Sequence, residues 1–223
     1  MYSFTEENYL KAIYKIGRKM EKGVNTNSIS HELDTKAASV TDMIKRLDEK
    51  GLVSYKKYQG VTLTNTGKKV AIEVLRKHRL WELFLVEKLG FGWDEVHDIA
   101  EELEHINSTK LINKLDQFLG FPKYDPHGDP IPDKNGTITS RHENLVNELK
   151  INEKGIIVGV KDSSTSFLQY LDECGLVLGK TVELIALIDY DESMNLRLEG
   201  NKIRTISNKV AQNLYIKKVN EIS

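Results

Sequence analysis

Residues 37–63 read Ala37-Ala38-Ser39-Val40-Thr41-Asp42-Met43-Ile44-Lys45-Arg46-Leu47-Asp48-Glu49-Lys50-Gly51-Leu52-Val53-Ser54-Tyr55-Lys56-Lys57-Tyr58-Gln59-Gly60-Val61-Thr62-Leu63. Val40, Ile44 and Leu47 recur at helical spacing, which predicts a helix from about Ala37 to Lys50 with one buried stripe and Gly51 as its stop. Two β-rich runs then flank a turn at Gly60, the pattern of a hairpin. Upstream, a shorter helical stretch over about Ser28–Leu33 meets the long one across a turn at Asp34-Thr35-Lys36. Helix, tight turn, longer helix and hairpin is the order of a winged helix-turn-helix.

The exposed side of such a unit carries Thr35, Lys36, Ala38, Ser39, Asp42, Lys45 and Arg46, small or polar side chains able to approach base edges and phosphates. Lys56 and Lys57 fall near the hairpin tip, where a phosphate contact adds affinity without sequence choice. Short helices with basic faces also occur in proteins that never meet DNA. Here charge agrees with the motif. Residues 1–80 hold 16 Lys/Arg against 9 Asp/Glu, whereas the remaining 143 hold 16 against 24, inside a net charge of -1. A basic first third on an acidic remainder implies a polyanion in front and a cation site behind.

Before this unit, Thr5 opens a helix with Glu6 and Glu7 in its first turn and Tyr9, Leu10, Ile13 and Tyr14 as its apolar face, and Gly23 breaks the chain. After it, a long helix runs from about Thr66 to Lys88, with His78 and Glu82 one turn apart. Then comes His97-Asp98-Ile99-Ala100-Glu101-Glu102-Leu103-Glu104-His105. At roughly 100° per residue, His97, Glu101, Glu104 and His105 share about one quarter of the helix surface. Val96, Ile99, Ala100, Leu103 and Ile106 take the opposite side, the one expected in a core. Most helical charge runs are solvated faces. Two imidazoles and two carboxylates without a thiolate are also the donors of a divalent transition metal, and His78 and Glu82 add ligands from a second direction. Leu111, Leu115, Phe118 and Leu119, with Trp81, Phe84, Phe91 and Trp93, exceed what a segment of about 50 residues needs, which predicts a homodimer interface.

All four prolines fall in Phe121-Pro122-Lys123-Tyr124-Asp125-Pro126-His127-Gly128-Asp129-Pro130-Ile131-Pro132, a stiffened boundary offering Asp125 and His127 as candidate ligands. Residues 133–150 read as a polar hinge. A strand at 156–160, a helix at 164–173 and β-rich runs at 182–188, 195–198 and 215–219 predict a small barrel-like module, with Asp162 just beyond its first strand. The single Cys174 excludes an intramolecular disulfide framework and fits a reducing cytoplasm. No apolar run reaches membrane-spanning length, and no signal-peptide segment opens the chain, so a cytoplasmic location is expected.

Three stretches together form a specific signature: Arg76-Lys77-His78-Arg79-Leu80-Trp81-Glu82, Val96-His97-Asp98 through Glu104-His105, and Asp125-Pro126-His127-Gly128-Asp129-Pro130-Ile131-Pro132. In these, and in the order of its parts, the chain resembles the diphtheria-toxin-repressor family of metal-dependent transcriptional regulators. The last 70 residues resemble, more loosely, that family's SH3-like (FeoA-like) domain. The resemblance implies a mainly α fold with small β elements. It comprises a winged helix-turn-helix domain over 1–73, a helical metal-binding and dimerisation domain over 74–140, and an SH3-like β-barrel over 141–223. It also implies two metal positions. One would use Glu101, Glu104 and His105 with help from the first helix, and the other His78, Glu82 and His97, closed by Asp125, His127 and Asp162. Ser163 and Ser166 stand where iron-type members place Glu and Gln ligands, and Glu101 stands where they place cysteine, so the manganese-type branch is favoured. Asn8 replaces a first-helix aspartate and Lys11 a glutamate ligand of the small manganese regulators, leaving the amide oxygen of Asn8 as the first helix's contribution.

The function expected from residues and resemblance together is a homodimeric repressor, not an enzyme, that binds a palindromic operator when loaded with Mn(II) or Fe(II) and controls metal-ion homeostasis. Two alternatives are a metalloenzyme using the same His/Glu cluster around an open coordination position, and a metal-independent winged-helix regulator. The first lacks a separate nucleophile and leaves the basic winged helix unexplained.

Overall fold

The computed structural model describes residues 2–18, 20, 23–56, 59–139 and 144–219. Helix α1 (Phe4–Gly17) begins where Ser3 accepts the Glu6 N–H and the Glu6 carboxylate accepts the Ser3 N–H, a capping box that satisfies two end donors at once. It buries Tyr9, Leu10, Ala12 and Ile13. Helix α2 (Thr26–Glu32) is capped by Asn25, and α3 (Ala37–Glu49) buries Val40, Ile44 and Leu47 as its spacing predicts. Asp34 turns the chain between them with a positive φ of 43°. Strands β1 (Val53–Lys56) and β2 (Gly60–Leu63) pair antiparallel, and Val24 bridges to Val61 alongside. Gly60 has φ 85°, and a Cβ there would stand 2.7 Å from the Gly23 carbonyl oxygen, so only glycine closes this hairpin.

Thr64 accepts the Gly67 N–H at the head of α4 (Asn65–Leu89). Helices α5 (Val96–Leu103) and α6 (Thr109–Phe118) follow, and Arg76 of α4 pairs with Asp116 of α6 at 2.7 Å. The last third holds β3 (Asn144–Leu145), β4 (Lys154–Val160), α7 (Thr165–Cys174), β5 (Thr181–Leu187), β6 (Met194–Arg197), β7 (Ile203–Ile206), α8 (Asn208–Ala211) and β8 (Leu214–Val219). Its strands form one antiparallel sheet in the order β3-β8-β4-β5-β6-β7, packed over Ile157, Leu168, Leu171, Leu184 and Ile216. No helix among the described residues is long and apolar enough to cross a membrane.

The chain forms two compact units. One comprises residues 1–81, 100–118 and 132–138, and the other 82–99, 119–131 and 139–223. The segment expected as a separate middle domain, 74–140, is therefore shared between the two. Side-chain bonds in the second unit show why. Trp93 donates from Nε1 to Asp172 at 2.9 Å, and Gln169 donates to Asp94 at 2.9 Å, so the loop before α5 is clipped to α7.

Helix α5 also departs from expectation in which face is covered. Val96 and Ala100 are fully buried, but Ile99, Leu103 and Ile106 are only half-buried, whereas Glu104 is fully buried. Glu104 and His105, from the charged side, are inside. A carboxylate without water needs partners, and these define the first candidate site.

Candidate metal centre

In the first unit, Glu104 is surrounded by cationic and imidazole groups from two other helices. Lys11 Nζ lies 2.6 and 2.8 Å from its two oxygens and 3.1 Å from Glu101 Oε1. His78 Nδ1 lies 2.7 Å from Glu104 Oε2. Burial pushes the Glu104 carboxyl up, but the His78 hydrogen bond and the Lys11 charge outweigh it and hold the pKa below its ordinary value of 4.5. His105 Nδ1 sits 2.6 Å from Glu7 Oε2, and Phe4 stacks on the imidazole at 4.6 Å between centroids.

The structure brings Glu101, Glu104 and His105 into one cluster, to which the first helix contributes Glu7 and Lys11 rather than the expected Asn8. That expectation is corrected by helical geometry. Residues 7 and 11 are one turn apart on one face, and residue 8 is about 100° away. Asn8 instead lines a cleft with Tyr9, Leu33, Met43 and Arg46, its Oδ1 buried without a hydrogen-bond partner among the described residues. The sequence carried a signal for Lys11: a lysine inside the run Tyr9, Leu10, Ala12, Ile13 must find a carboxylate when that face is buried.

In the second unit, Glu82, Asp125 and His127 are all buried, and one donor atom from each falls within a 4.8 Å group. Glu82 Oε1 is 3.3 Å from His97 Nδ1, and Glu82 Oε2 is 3.7 Å from His127 Nδ1. His127 donates from Nε2 to the Trp93 carbonyl at 2.7 Å, which fixes the ring and turns Nδ1 toward Glu82. Burial lowers the His127 pKa, but Glu82, Asp125 and the Trp93 carbonyl overcome it and raise the value to about 9. Asp125 Oδ1 accepts the N–H groups of His127 and Asp129, both at 2.9 Å, so the carboxylate is held by its own loop.

This loop is docked through the backbone. Val160 N–H donates to the His127 carbonyl at 3.0 Å. Gly128, at φ 78°, would place a Cβ 2.1 Å from the Val158 oxygen, so no other residue allows that approach. The prolines did not reveal this contact, whereas the glycine after His127 is its visible trace. Asp162 lies two residues beyond Val160, but it is exposed, and its Oδ1 accepts the Ser164 N–H at 2.9 Å. It stands outside the Glu82/Asp125/His127 group, its carboxylate held in the turn before α7.

The two clusters differ in their fitness for a divalent cation. Glu82, Asp125 and His127 offer hard oxygen and imidazole nitrogen with a fixed ring orientation, and they fit. The Glu101/Glu104 cluster does not, because the Lys11 ammonium already takes those oxygens.

On the winged helix, Lys36, Ala38, Ser39, Asp42, Lys45, Arg46 and Lys56 are exposed and Thr35 is half-buried, as a reading surface requires. Lys45 and Asp42 lie 3.8 Å apart, both well solvated. Lys57 falls outside the described residues.

Comparison with known proteins gives three family matches. They are the iron dependent repressor N-terminal DNA binding domain over residues 1–61, the iron dependent repressor metal binding and dimerisation domain over 64–133, and the FeoA domain over 145–218. The iron-dependent repressor IdeR of Mycobacterium tuberculosis is 36% identical over 130 residues, 57% of this chain and 55% of that protein, so the match spans about half of that curated relative. An uncharacterized HTH-type transcriptional regulator of Methanocaldococcus jannaschii is 34% identical over 113 residues, covering 51% of this chain and 90% of that one. Among solved structures, a manganese-dependent transcriptional repressor in complex with manganese superposes with a TM-score of 0.84 at 30% identity, covering 96% of this chain and 100% of that one.

Proposed function

This chain belongs to the iron-dependent repressor family, and from that premise we propose that it is a cytoplasmic transcriptional repressor activated by Mn(II) or Fe(II). It binds a palindromic DNA operator as a homodimer and controls genes of metal-ion uptake or homeostasis. The observation that carries the reading is the buried Glu82/Asp125/His127 group. Three acidic or imidazole donors out of water need a shared positive charge, and a divalent cation supplies it when bound. His97 stands beside Glu82, so it can complete the ligand set.

Binding of a cation to the folded arrangement and not to others stabilises that arrangement by linkage. The same arrangement holds the loop at Asp125 against β4 and the Trp93 loop against α7. Exposed apolar side chains support a self-associating surface: Leu111 and Phe118 on α6 are solvent-facing while Ile112 and Leu115 between them form its inner side. On DNA, α3 presents Ser39, Asp42, Lys45 and Arg46 to the major groove and Lys56 meets phosphate. A metalloenzyme would need a coordination position open to substrate, and the three donors here are buried.

The test is retardation of the DNA upstream of this protein's own gene, with Mn(II), Fe(II) and Zn(II) titrated separately. Metal-dependent retardation is expected. Equal binding in chelator overturns the metal dependence, and no sequence-specific binding under any metal overturns the repressor reading.

A further inference from the structure

Lys11 is 4% exposed, on a helix face that otherwise carries Tyr9, Leu10 and Ile13 into the core. Its ammonium contacts oxygens at 2.6, 2.8 and 3.1 Å, which occupies its three donor directions on Glu104 and Glu101. Glu104 has no exposed surface, while the Glu101 side chain keeps 45% of its own. Glu7, from the preceding turn of the same helix, faces His105. The cluster therefore contains the carboxylates and imidazoles of a cation site, with the cation covalently attached to the protein.

We propose that Lys11 is the resident cation of this cluster: its ammonium fills the carboxylate pocket, ties α1 to the end of α5 without metal, and leaves the chain with one Mn(II) site per subunit. A divalent ion can enter only by expelling a buried ammonium from oxygens it already satisfies, and the expelled group would be left charged without a partner. The position is thus a permanent structural bond rather than a sensor. This inference rests on the reading of Glu82, Asp125 and His127 as the metal position, since that group accounts for the single equivalent.

The experiment is equilibrium dialysis of the full chain against Mn(II), with free ion counted by electron paramagnetic resonance. The wild type and Lys11→Arg should each bind one equivalent per subunit. Lys11→Gln removes the cation but keeps the carboxylates, so it should bind two, and its thermal midpoint without metal should fall and be restored by Mn(II). Should Lys11→Gln fail to fold, Glu101→Gln replaces a half-exposed side chain and should leave both stoichiometry and affinity as in the wild type. Two equivalents in the wild type, one in Lys11→Gln, or loss of the wild-type equivalent in Glu101→Gln each overturn the role of Lys11 and leave the Glu82 site standing. No Mn(II) bound by the wild type overturns the metal reading itself.

Discussion

The cluster around Glu104 and the cluster around Glu82 use the same residue types and reach opposite outcomes. Both bury carboxylates against imidazoles. At Glu104 the countercharge is an ammonium that belongs to the chain and has nowhere to go. At Glu82 the described partners are His97 and His127, whose rings can give up a proton and offer a lone pair in its place. A composition of His and Glu therefore does not define a metal site. What decides is whether the positive charge can be exchanged.

The largest effect that could break this contrast is on metal-activated DNA binding. Glu82→Gln keeps the volume of the side chain and removes its charge. Operator affinity at a fixed Mn(II) concentration should fall by about a hundredfold or more, as expected for loss of a direct ligand rather than of an outer partner. Circular dichroism should show the helices intact. Glu101→Gln in the same assay should change little. If the two variants behave alike, the two clusters do not differ in the way argued.

A medium effect separates the clusters by pH in the metal-free protein. His127 has its pKa raised to about 9 from an ordinary 6.5. A raised pKa means that the folded form holds the proton more tightly, so the stabilisation is complete below pH 6.5 and is lost as pH climbs through 9. The full shift corresponds to about 3–4 kcal/mol. Denaturant titration at pH 6 and pH 9.5 should show a loss of that order, absent in His127→Gln. Glu104 responds in the other direction. Its pKa is lowered, so its contribution is present above 4.5 and lost only as pH falls through the lower value. A metal-free protein equally stable at pH 6 and pH 9.5 would remove the proton from the His127 argument.

Sequence periodicity was informative where one face of an element is apolar and the other is not. The stripe Val40, Ile44, Leu47 placed α3 to within a residue, and the Gly60 turn placed the hairpin. Periodicity misread α5, because it assumes that the charged face is the wet one. Glu104 is dry because Lys11 and His78 arrive from helices distant in sequence, and pairing at a separation of 93 residues leaves no local pattern. Strand β7 was missed for a related reason: Ile203, Arg204 and Thr205 are all exposed, so no alternation marks it. The apolar stripe of α6 was visible, but its division into buried Ile112 and Leu115 and exposed Leu111 and Phe118 was not. His127 was identifiable as a candidate ligand. Its orientation depends on the Trp93 carbonyl, a backbone group that side-chain spacing cannot report.

The smallest expected effect tests which face of α1 belongs to the cluster. Asn8 is the residue that a first-helix ligand position would assign, and restoring a carboxylate there would be the natural way to strengthen a metal site. The structure points the side chain elsewhere, into a cleft with Tyr9, Leu33, Met43 and Arg46. Glu7 and Lys11 hold the face toward Glu104 and His105. The two faces are separated by about 100° of helix, which a change of rotamer does not bridge. Asn8→Asp should therefore leave Mn(II) affinity within about twofold of the wild type, a difference of less than about 0.5 kcal/mol. Calorimetric titration reads this directly. A tightening of tenfold or more would mean that residue 8 turns to the cluster and that Lys11 yields its place, so the variant with the smallest expected effect also probes the Lys11 assignment from an independent position.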